Sequence, residues 1–186
     1  QKEVGAKATL AGMALAAAYF HIEQANQYVD PVSNFASQDG QETHKGWEFS
    51  FSGRATSRLT LLGGLTLLDA KVDKASSNVG KIPQGVPERI LRLFAEYDLP
   101  FVPGLTLTGG ASHTGRVPWD AANTLFVDAV TIYDAGLRLQ TGLKGHDTTW
   151  RLNVSNLGNK NYWTTRSSIL YLGSPRIVSL STSLAF

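Results

Sequence analysis

The side chains that could carry out metal, nucleophilic or acid–base chemistry in this chain lack the spacing that such chemistry needs. None of the four histidines has a partner at metal-site spacing, such as the i, i+4 pair of a helix; they are His21, His44, His113 and His146. No Gly-x-Ser-x-Gly motif marks a serine nucleophile. Cysteine is absent, which removes disulfides, thiolate metal sites and cysteine nucleophiles together. The sequence therefore predicts no metal site of the protein's own.

The carboxylates are scattered along the sequence and form no pair recognisable as a catalytic acid and base. The acidic residues considered are Glu48, Asp69, Asp73 and Asp134. We expect them to form polar networks on an inward-facing surface with three basic residues, Arg54, Arg92 and Arg138. The chain is accordingly predicted not to be an enzyme.

Alternation of apolar and polar residues fills the chain and predicts β-strands throughout. In residues 47–54 the aromatic residues Trp47, Phe49 and Phe51 alternate with polar side chains. The last eleven residues alternate in the same way and end on Phe186. Such a strand has one face suited to lipid and one suited to water.

Nine alternating segments can be counted, and no helix is needed between them. Their predicted bounds are 2–10, 13–26, 41–55, 58–69, 87–98, 105–114, 125–140, 148–167 and 174–186. In three of these strands an apolar residue falls on the nominally polar side, or the alternation is weak; Leu62, Ile90 and Phe94 are the clearest cases.

The connections between these segments alternate between short and long. Tight connections at 11–12, 55–58, 99–104 and 141–147 take turns with longer ones at 27–40, 70–86, 115–124 and 168–173. Short turns on one rim and long loops on the other are typical of outer-membrane barrels. The sequence therefore predicts an all-β fold, a transmembrane antiparallel up-and-down β-barrel. Nine strands form only part of such a barrel, so we expect further strands upstream of Gln1.

Composition is consistent with this fold class. Charged residues make up only 17% of the chain and hydrophobic ones 42%, and no apolar stretch approaches the roughly 18 residues of a membrane-spanning helix. The net charge of +2 forms no basic stripe, so nucleic acid is not an expected partner.

Several stretches resemble the C-terminal part of TonB-dependent siderophore receptors. They lie at residues 3–7, 19–26, 46–50, 152–162 and 173–176, and the most specific is Asn-Leu-Gly-Asn-Lys-Asn-Tyr at 156–162 followed by the terminal strand. The resemblance implies that residues 1–186 are one domain, strands 14 to 22 of a plugged 22-stranded barrel. The plug domain, the TonB-contacting segment and the other strands would lie outside it.

The resemblance implies that the protein takes up a ferric siderophore across the bacterial outer membrane, with energy supplied through TonB. No intrinsic cofactor is implied, since the ferric siderophore is the transported ligand. The implied partners are that ligand, the lipid bilayer with its lipopolysaccharide, TonB through the N-terminal region, and the barrel-assembly machinery through the C-terminal strand. Phe186 would be the assembly signal and interface anchor.

In this family the ligand sits between the plug and aromatic or basic residues of the wall and loops. By that likeness the candidate binding residues, all near the ends of long loops, are Tyr171, Trp119, Trp163, Arg116 and Arg166. Tyr171 is the first choice, because the sequence places it at the tip of the last loop. The competing interpretation is that these rings belong to the aromatic girdle at the membrane interface.

Two other functions stay open on the sequence. One is another outer-membrane barrel, a porin or an adhesin. The other is a soluble β-sandwich whose carbohydrate-binding face would be made by Trp47, Trp119 or Trp163.

Overall fold

The computed structural model describes residues 1–30, 32–143, 146–166 and 169–185, and every regular element among them is a β-strand. The strands are β1 (Lys2–Leu10), β2 (Met13–Val29), β3 (Ala36–Arg54), β4 (Leu59–Lys74), β5 (Arg89–Asp98), β6 (Leu105–Thr114), β7 (Val117–Pro118), β8 (Phe126–Val127), β9 (Val130–Leu143), β10 (His146–Ser155), β11 (Trp163–Arg166), β12 (Ile169–Leu172) and β13 (Ile177–Leu184). No helix in these ranges has the length and apolar character needed to cross a bilayer.

Nine of the strands form one antiparallel sheet in the order β1-β2-β3-β4-β5-β6-β9-β10-β13. Each strand pairs with the next sheet strand along the chain, so the predicted up-and-down topology is confirmed. The four remaining strands form two small ribbons, β7–β8 and β11–β12, inside the long connections. Within the described residues, β1 and β13 are the two edges of the sheet.

The cross-strand register sorts the side chains into one apolar and one polar face. Leu107 lies opposite Leu137, and that row continues through Leu152 to Leu180. Its apolar side chains are uncovered, since Leu180 is 71% exposed. A sheet of one layer with an apolar outer face and a polar inner face is what a lipid-facing barrel wall requires.

The strands β2, β3 and β4 are unusually long, with 17, 19 and 16 residues. A strand needs about 9–11 residues to cross a bilayer, so these three extend well beyond it. The predicted loop at 27–40 is therefore mostly wrong. Val29 still pairs with Ala36, so the strands continue to these two residues. Beyond them the Asp30 Oδ1 accepts a hydrogen bond from Val32 N–H at 2.9 Å. Polar residues on both faces hide the strand period there.

The end of the chain also departs from the prediction. The predicted strand 148–167 ends at Ser155, and residues 163–166 pair with 169–172 in a separate hairpin. Tyr171 is consequently not at a loop tip, because it lies in β12 opposite Thr164. Likewise the predicted strand 125–140 joins the sheet only from Val130, since residues 126–127 pair with 117–118.

The predicted polar networks form only in part. Arg138 makes a bidentate pair with Glu96, with two N–H···O distances of 2.8 Å. Asp69 does not join such a network, because it pairs with Lys45 at 3.1 Å on the extension of the apolar face. Strand extension beyond the bilayer explains this placement, since a charged pair there meets water.

Candidate functional site

The three longest connections lie at the same end of the sheet. They are residues 75–88 between β4 and β5, 115–129 between β6 and β9, and 156–176 between β10 and β13. Because neighbouring strands run in opposite directions, every second connection reaches the same edge. We call these three segments the rim.

Asn123 joins the first two segments of the rim. Its Oδ1 accepts from the backbone N–H of Ile82 at 2.8 Å, and its Nδ2 donates to the carbonyl of Ile82 at 3.0 Å. Nearby, Gly85 N–H donates to Pro118 O at 2.9 Å. Asn123 has φ +58°, a left-handed conformation that Asn tolerates better than most residues. The Asn123 side chain thus makes the two backbone hydrogen bonds to Ile82 that a neighbouring strand would otherwise make.

Asp120 holds the turn that presents Asn123. Its Oδ1 accepts from Leu125 N–H at 2.6 Å, and its Oδ2 accepts from the Thr124 hydroxyl at 2.8 Å. The hydrogen bond from the Leu125 backbone lowers the pKa of this carboxyl from its ordinary value of 3.8, so Asp120 is ionised at neutral pH.

Asn156 anchors the third segment of the rim and is only 3% exposed. Its side-chain amide donates to Lys160 O at 2.9 Å and to Ser174 O at 3.0 Å, and its Oδ1 accepts from Lys160 N–H at 2.8 Å. Its own N–H donates to Asp134 Oδ1 at 2.8 Å. The motif at 156–162 therefore has a structural role, because it ends β10 and ties the hairpin β11–β12 to the start of β13.

Between the rim and the polar face lies a cavity of about 360 Å³, which we call the rim cavity. Its lining combines rings, aliphatic side chains, hydroxyls and two opposite charges. The side chains that define it are Ile90, Arg92, Ser112, Thr114, Asp128, Ile132, Tyr162 and Trp163. A second cavity of about 360 Å³ adjoins it and includes Phe126, Lys160, Tyr162, Trp163 and Leu170.

The structure brings together some of the predicted binding residues and separates others. Trp163 lines both cavities. Arg116 places its guanidinium carbon 3.8 Å from the ring centre of Phe126, which lines the second cavity. Neither cavity is lined by Trp119, Tyr171 or Arg166. Phe186 lies outside the described residues.

Most of the residues that line the rim cavity were not predicted from the sequence as binding residues. Arg92, Ser112 and Thr114 are ordinary polar-face residues by pattern, and only the fold shows that the rim closes over them. One signal was available in Ile90, an apolar residue on the polar side, which the register places beside Thr114. An off-pattern apolar residue on a wet face can mark a contact surface.

This arrangement can bind an organic ligand of moderate size. Trp163 and Tyr162 offer ring faces, the hydroxyls of Ser112 and Thr114 offer hydrogen bonds, and Arg92 offers a positive charge. Among the described residues, no group of three or more His, Asp or Glu side chains could hold a metal ion.

Comparison with known proteins gives a consistent result. The family described as TonB dependent receptor-like, beta-barrel matches residues 1–157. The ferrichrome receptor FcuA of Yersinia enterocolitica is 34% identical over 191 residues, which cover 100% of this chain and 25% of that protein.

Among solved structures, BauA, the ferric preacinetobactin receptor of Acinetobacter baumannii, superposes with a TM-score of 0.89 at 35% identity, covering 98% of this chain and 28% of that one. The siderophore receptor PiuA of the same species gives a TM-score of 0.82 at 25% identity, covering 97% and 27%. The chain thus spans about a quarter of the length of the proteins it matches.

Proposed function

The chain belongs to the TonB-dependent receptor β-barrel family of the outer membrane, and from that premise we propose that it forms the C-terminal part of the wall of a ferric siderophore receptor. The matched relatives support this proposal, because their names give ferrichrome and ferric preacinetobactin as ligands. Since this chain spans only about a quarter of those proteins, transport is a property proposed for the whole receptor.

The observation that carries the proposal is the rim cavity. It opens on the polar face at the end where the long connections gather, and it offers rings, hydroxyls and a guanidinium. These groups suit a bulky chelate in which the siderophore already coordinates the iron. Trp163 would stack on the chelate, and Ser112 and Thr114 would hydrogen-bond to its oxygen atoms.

Release of the bound chelate into the periplasm needs energy, which we assign to TonB acting on a plug domain outside residues 1–186. The apolar face would contact the bilayer and lipopolysaccharide. We further propose that β13, a sheet edge, is offered to the barrel-assembly machinery with Phe186 as its terminal aromatic. No enzymatic step is part of this proposal.

The test uses the receptor that contains this chain, produced in a strain lacking its other siderophore receptors. A panel of ferric hydroxamate, catecholate and mixed chelates is titrated against the purified receptor by tryptophan fluorescence, and growth on each chelate is measured under iron limitation. We expect one chelate class to bind and to support growth. Binding of none, or passage of unrelated small solutes without TonB, would instead support a porin.

A further inference from the structure

The two adjoining cavities at the rim share part of their lining. The rim cavity and the second cavity each have a volume of about 360 Å³. The residues that line both of them are Val127, Asp128, Val130, Tyr162 and Trp163. We call these five residues the partition, because their side chains stand between the two volumes. Its two largest side chains are the adjacent rings of Tyr162 and Trp163.

The ring of Tyr162 lies on a glycine of the neighbouring strand. Gly173 follows the last pair of the β11–β12 hairpin, Trp163 with Leu172, and its N–H donates to the Tyr162 carbonyl at 2.8 Å. A Cβ added at Gly173 would lie 2.2–2.4 Å from Cζ, Cε1 and Cε2 of the Tyr162 ring, which is a clash. Gly173 has no positive φ, so glycine is needed there for space and not for backbone conformation.

The backbone on both sides of this contact is held as well. The Asn156 side chain bonds to Lys160 N–H at 2.8 Å and to Lys160 O at 2.9 Å, two residues before Tyr162. Arg176 N–H donates to Asn159 Oδ1 at 3.0 Å, which ties the chain after Gly173 to the same turn. Trp163, in contrast, is 53% exposed. Of the two rings in the partition, Tyr162 is therefore the one whose position the fold determines.

We propose that Tyr162 is a specificity-determining residue that limits the size of the ligand group admitted to the rim cavity, and that Gly173 is its positioning residue. The inference rests on the proposed function, in which part of a ferric chelate occupies the rim cavity. A fixed ring admits a group that fills one cavity and excludes a longer group that would extend through both. Exclusion follows because the ring cannot move aside without losing its contact with Gly173.

The test compares a compact and an extended chelate on the purified intact receptor. One such pair is made of ferric hydroxamates and another of ferric catecholates, and within each pair only one apolar acyl group differs in length. Net charge is the same within a pair, because Arg92, Asp128 and Lys160 also line the cavities. For the class that binds, we expect the compact member to bind about tenfold more tightly or better, as measured by fluorescence titration.

Tyr162→Ala joins the two volumes, so the preference for the compact member should disappear or reverse. Tyr162→Phe is the matched control, since it keeps the ring, removes only the hydroxyl and should keep the wild-type ratio of dissociation constants. Should the alanine variant fail to assemble, Tyr162→Leu removes the ring while filling the space next to the backbone.

Gly173→Ala tests the positioning role. The added methyl group should displace the Tyr162 ring, so the ratio should approach that of Tyr162→Ala. In the double variant the alanine at 173 should add nothing further, because Gly173 acts only through the ring. A readout independent of ligand is the fluorine NMR line of fluorotyrosine placed at position 162. That line should shift in Gly173→Ala and stay in place in Gly158→Ala, whose Cβ would meet nothing within 4 Å.

Three results would overturn the inference while keeping the proposed function. They are equal binding of the two members by the wild-type receptor, an unchanged ratio in Tyr162→Ala, and an equal loss of both members in that variant, which would show a structural role alone. A receptor that binds no member of either pair contradicts the proposed function, and the inference falls with it.

Discussion

Trp163 and Tyr171 were both predicted from the sequence to offer a ring to the ligand, and the fold places these two rings differently. The hairpin pairs Trp163 with Leu172 and Thr164 with Tyr171, so the two rings project from opposite faces of the ribbon. Of these two rings, only that of Trp163 lines the two cavities at the rim. In the proposed receptor we therefore assign ring stacking on the ligand to Trp163 and not to Tyr171.

For the intact receptor we predict that Trp163→Ala weakens chelate binding by tenfold or more, about 1.4 kcal/mol, because a stacked ring supplies much of the contact area. Tyr171→Ala, a substitution of the same kind on the other face, should change the dissociation constant by less than about threefold, roughly 0.7 kcal/mol. Fluorescence quenching titrations measure both. Equal losses would mean that the hairpin itself moves onto the ligand.

The carboxyl group of Asp120 makes the stability of the 120–125 turn depend on pH. Since its folded pKa is lowered below 3.8, its stabilisation of the 120–125 turn is present above that value and is lost as the pH falls through the lower folded pKa. Protection of the Leu125 amide from hydrogen exchange, corrected for the intrinsic rate, should be level from pH 5 to 8 and fall only in strong acid. In Asp120→Asn the protection should be weaker at neutral pH and should not titrate.

Among the elements, the segments 75–88 and 115–129 are joined at Ile82 by the Asn123 side chain, in addition to the hydrogen bond from Gly85 N–H to Pro118 O. Asn123→Gly keeps the left-handed backbone but removes both hydrogen bonds to Ile82. We predict faster exchange of the Ile82 amide by at least tenfold with β4 and β5 unaffected. Asn123→Asp should retain part of the protection, since a carboxylate still accepts from Ile82 N–H. Unchanged exchange in the glycine variant would show that the remaining contacts suffice.

Asn156 carries a larger energetic role, because its buried amide satisfies three backbone groups. Asn156→Gly, which preserves φ +50°, should lower the free energy of unfolding by about 2–4 kcal/mol, at roughly 1 kcal/mol for each hydrogen bond plus the desolvation of the groups left unpaired. Urea unfolding in detergent micelles measures it. Gly158→Ala in the same turn is the control, since its Cβ would meet nothing within 4 Å and the change should be near neutral.

How far the elements could be predicted depends on what each strand contacts. Where lipid lies on one side, as at Trp47 and Phe49, the period of two is visible and the nine strands were found. Beyond the bilayer both faces meet water, so the pairing of Tyr28 with Ser37 leaves no apolar stripe to read. The hairpin at Trp163 was also missed as a separate ribbon, because only the buried Asn156 turn shows that the chain leaves the sheet there.

For the whole sheet, the two faces predict opposite responses to the same substitution. Leu93 lies on the apolar face near the middle of its strand, and Leu93→Arg should cost about 2–4 kcal/mol of stability in a bilayer. Thr108→Arg, on the polar face and opposite Glu96, should cost less than about 1 kcal/mol, since a charge there meets water and not lipid. Folding yield into lipid vesicles and urea midpoints test the contrast. Similar losses would contradict the assignment of the faces.

The candidate binding site was less predictable from the sequence than the sheet, for a physical reason. Tyr162 and Trp163 come from the third rim segment, whereas Arg92 and Ser112 come from mid-strand positions on two other strands. These residues line one cavity only because the long connections fold inward over the polar face. The turns at Asn123 and Asn156 determine how far they fold. The loop aromatics suggested both Trp163, which lines the rim cavity, and Tyr171, which the register places on the other face of the hairpin.

The hydrogen bonds of the Asn123 amide limit which segments can be exchanged between related receptors. A connection that is held by its neighbour is not readily exchanged alone. A graft of 75–88 from a relative would meet Asn123 in place of its own partner segment, and a graft of 115–129 without an equivalent of Asn123 would leave the backbone of Ile82 unpaired. Chimeras that transplant both segments together should fold and carry the donor's selectivity. Ligand preference in this wall would then be inherited in blocks, with mutations in one loop tolerated only alongside matching changes in the next.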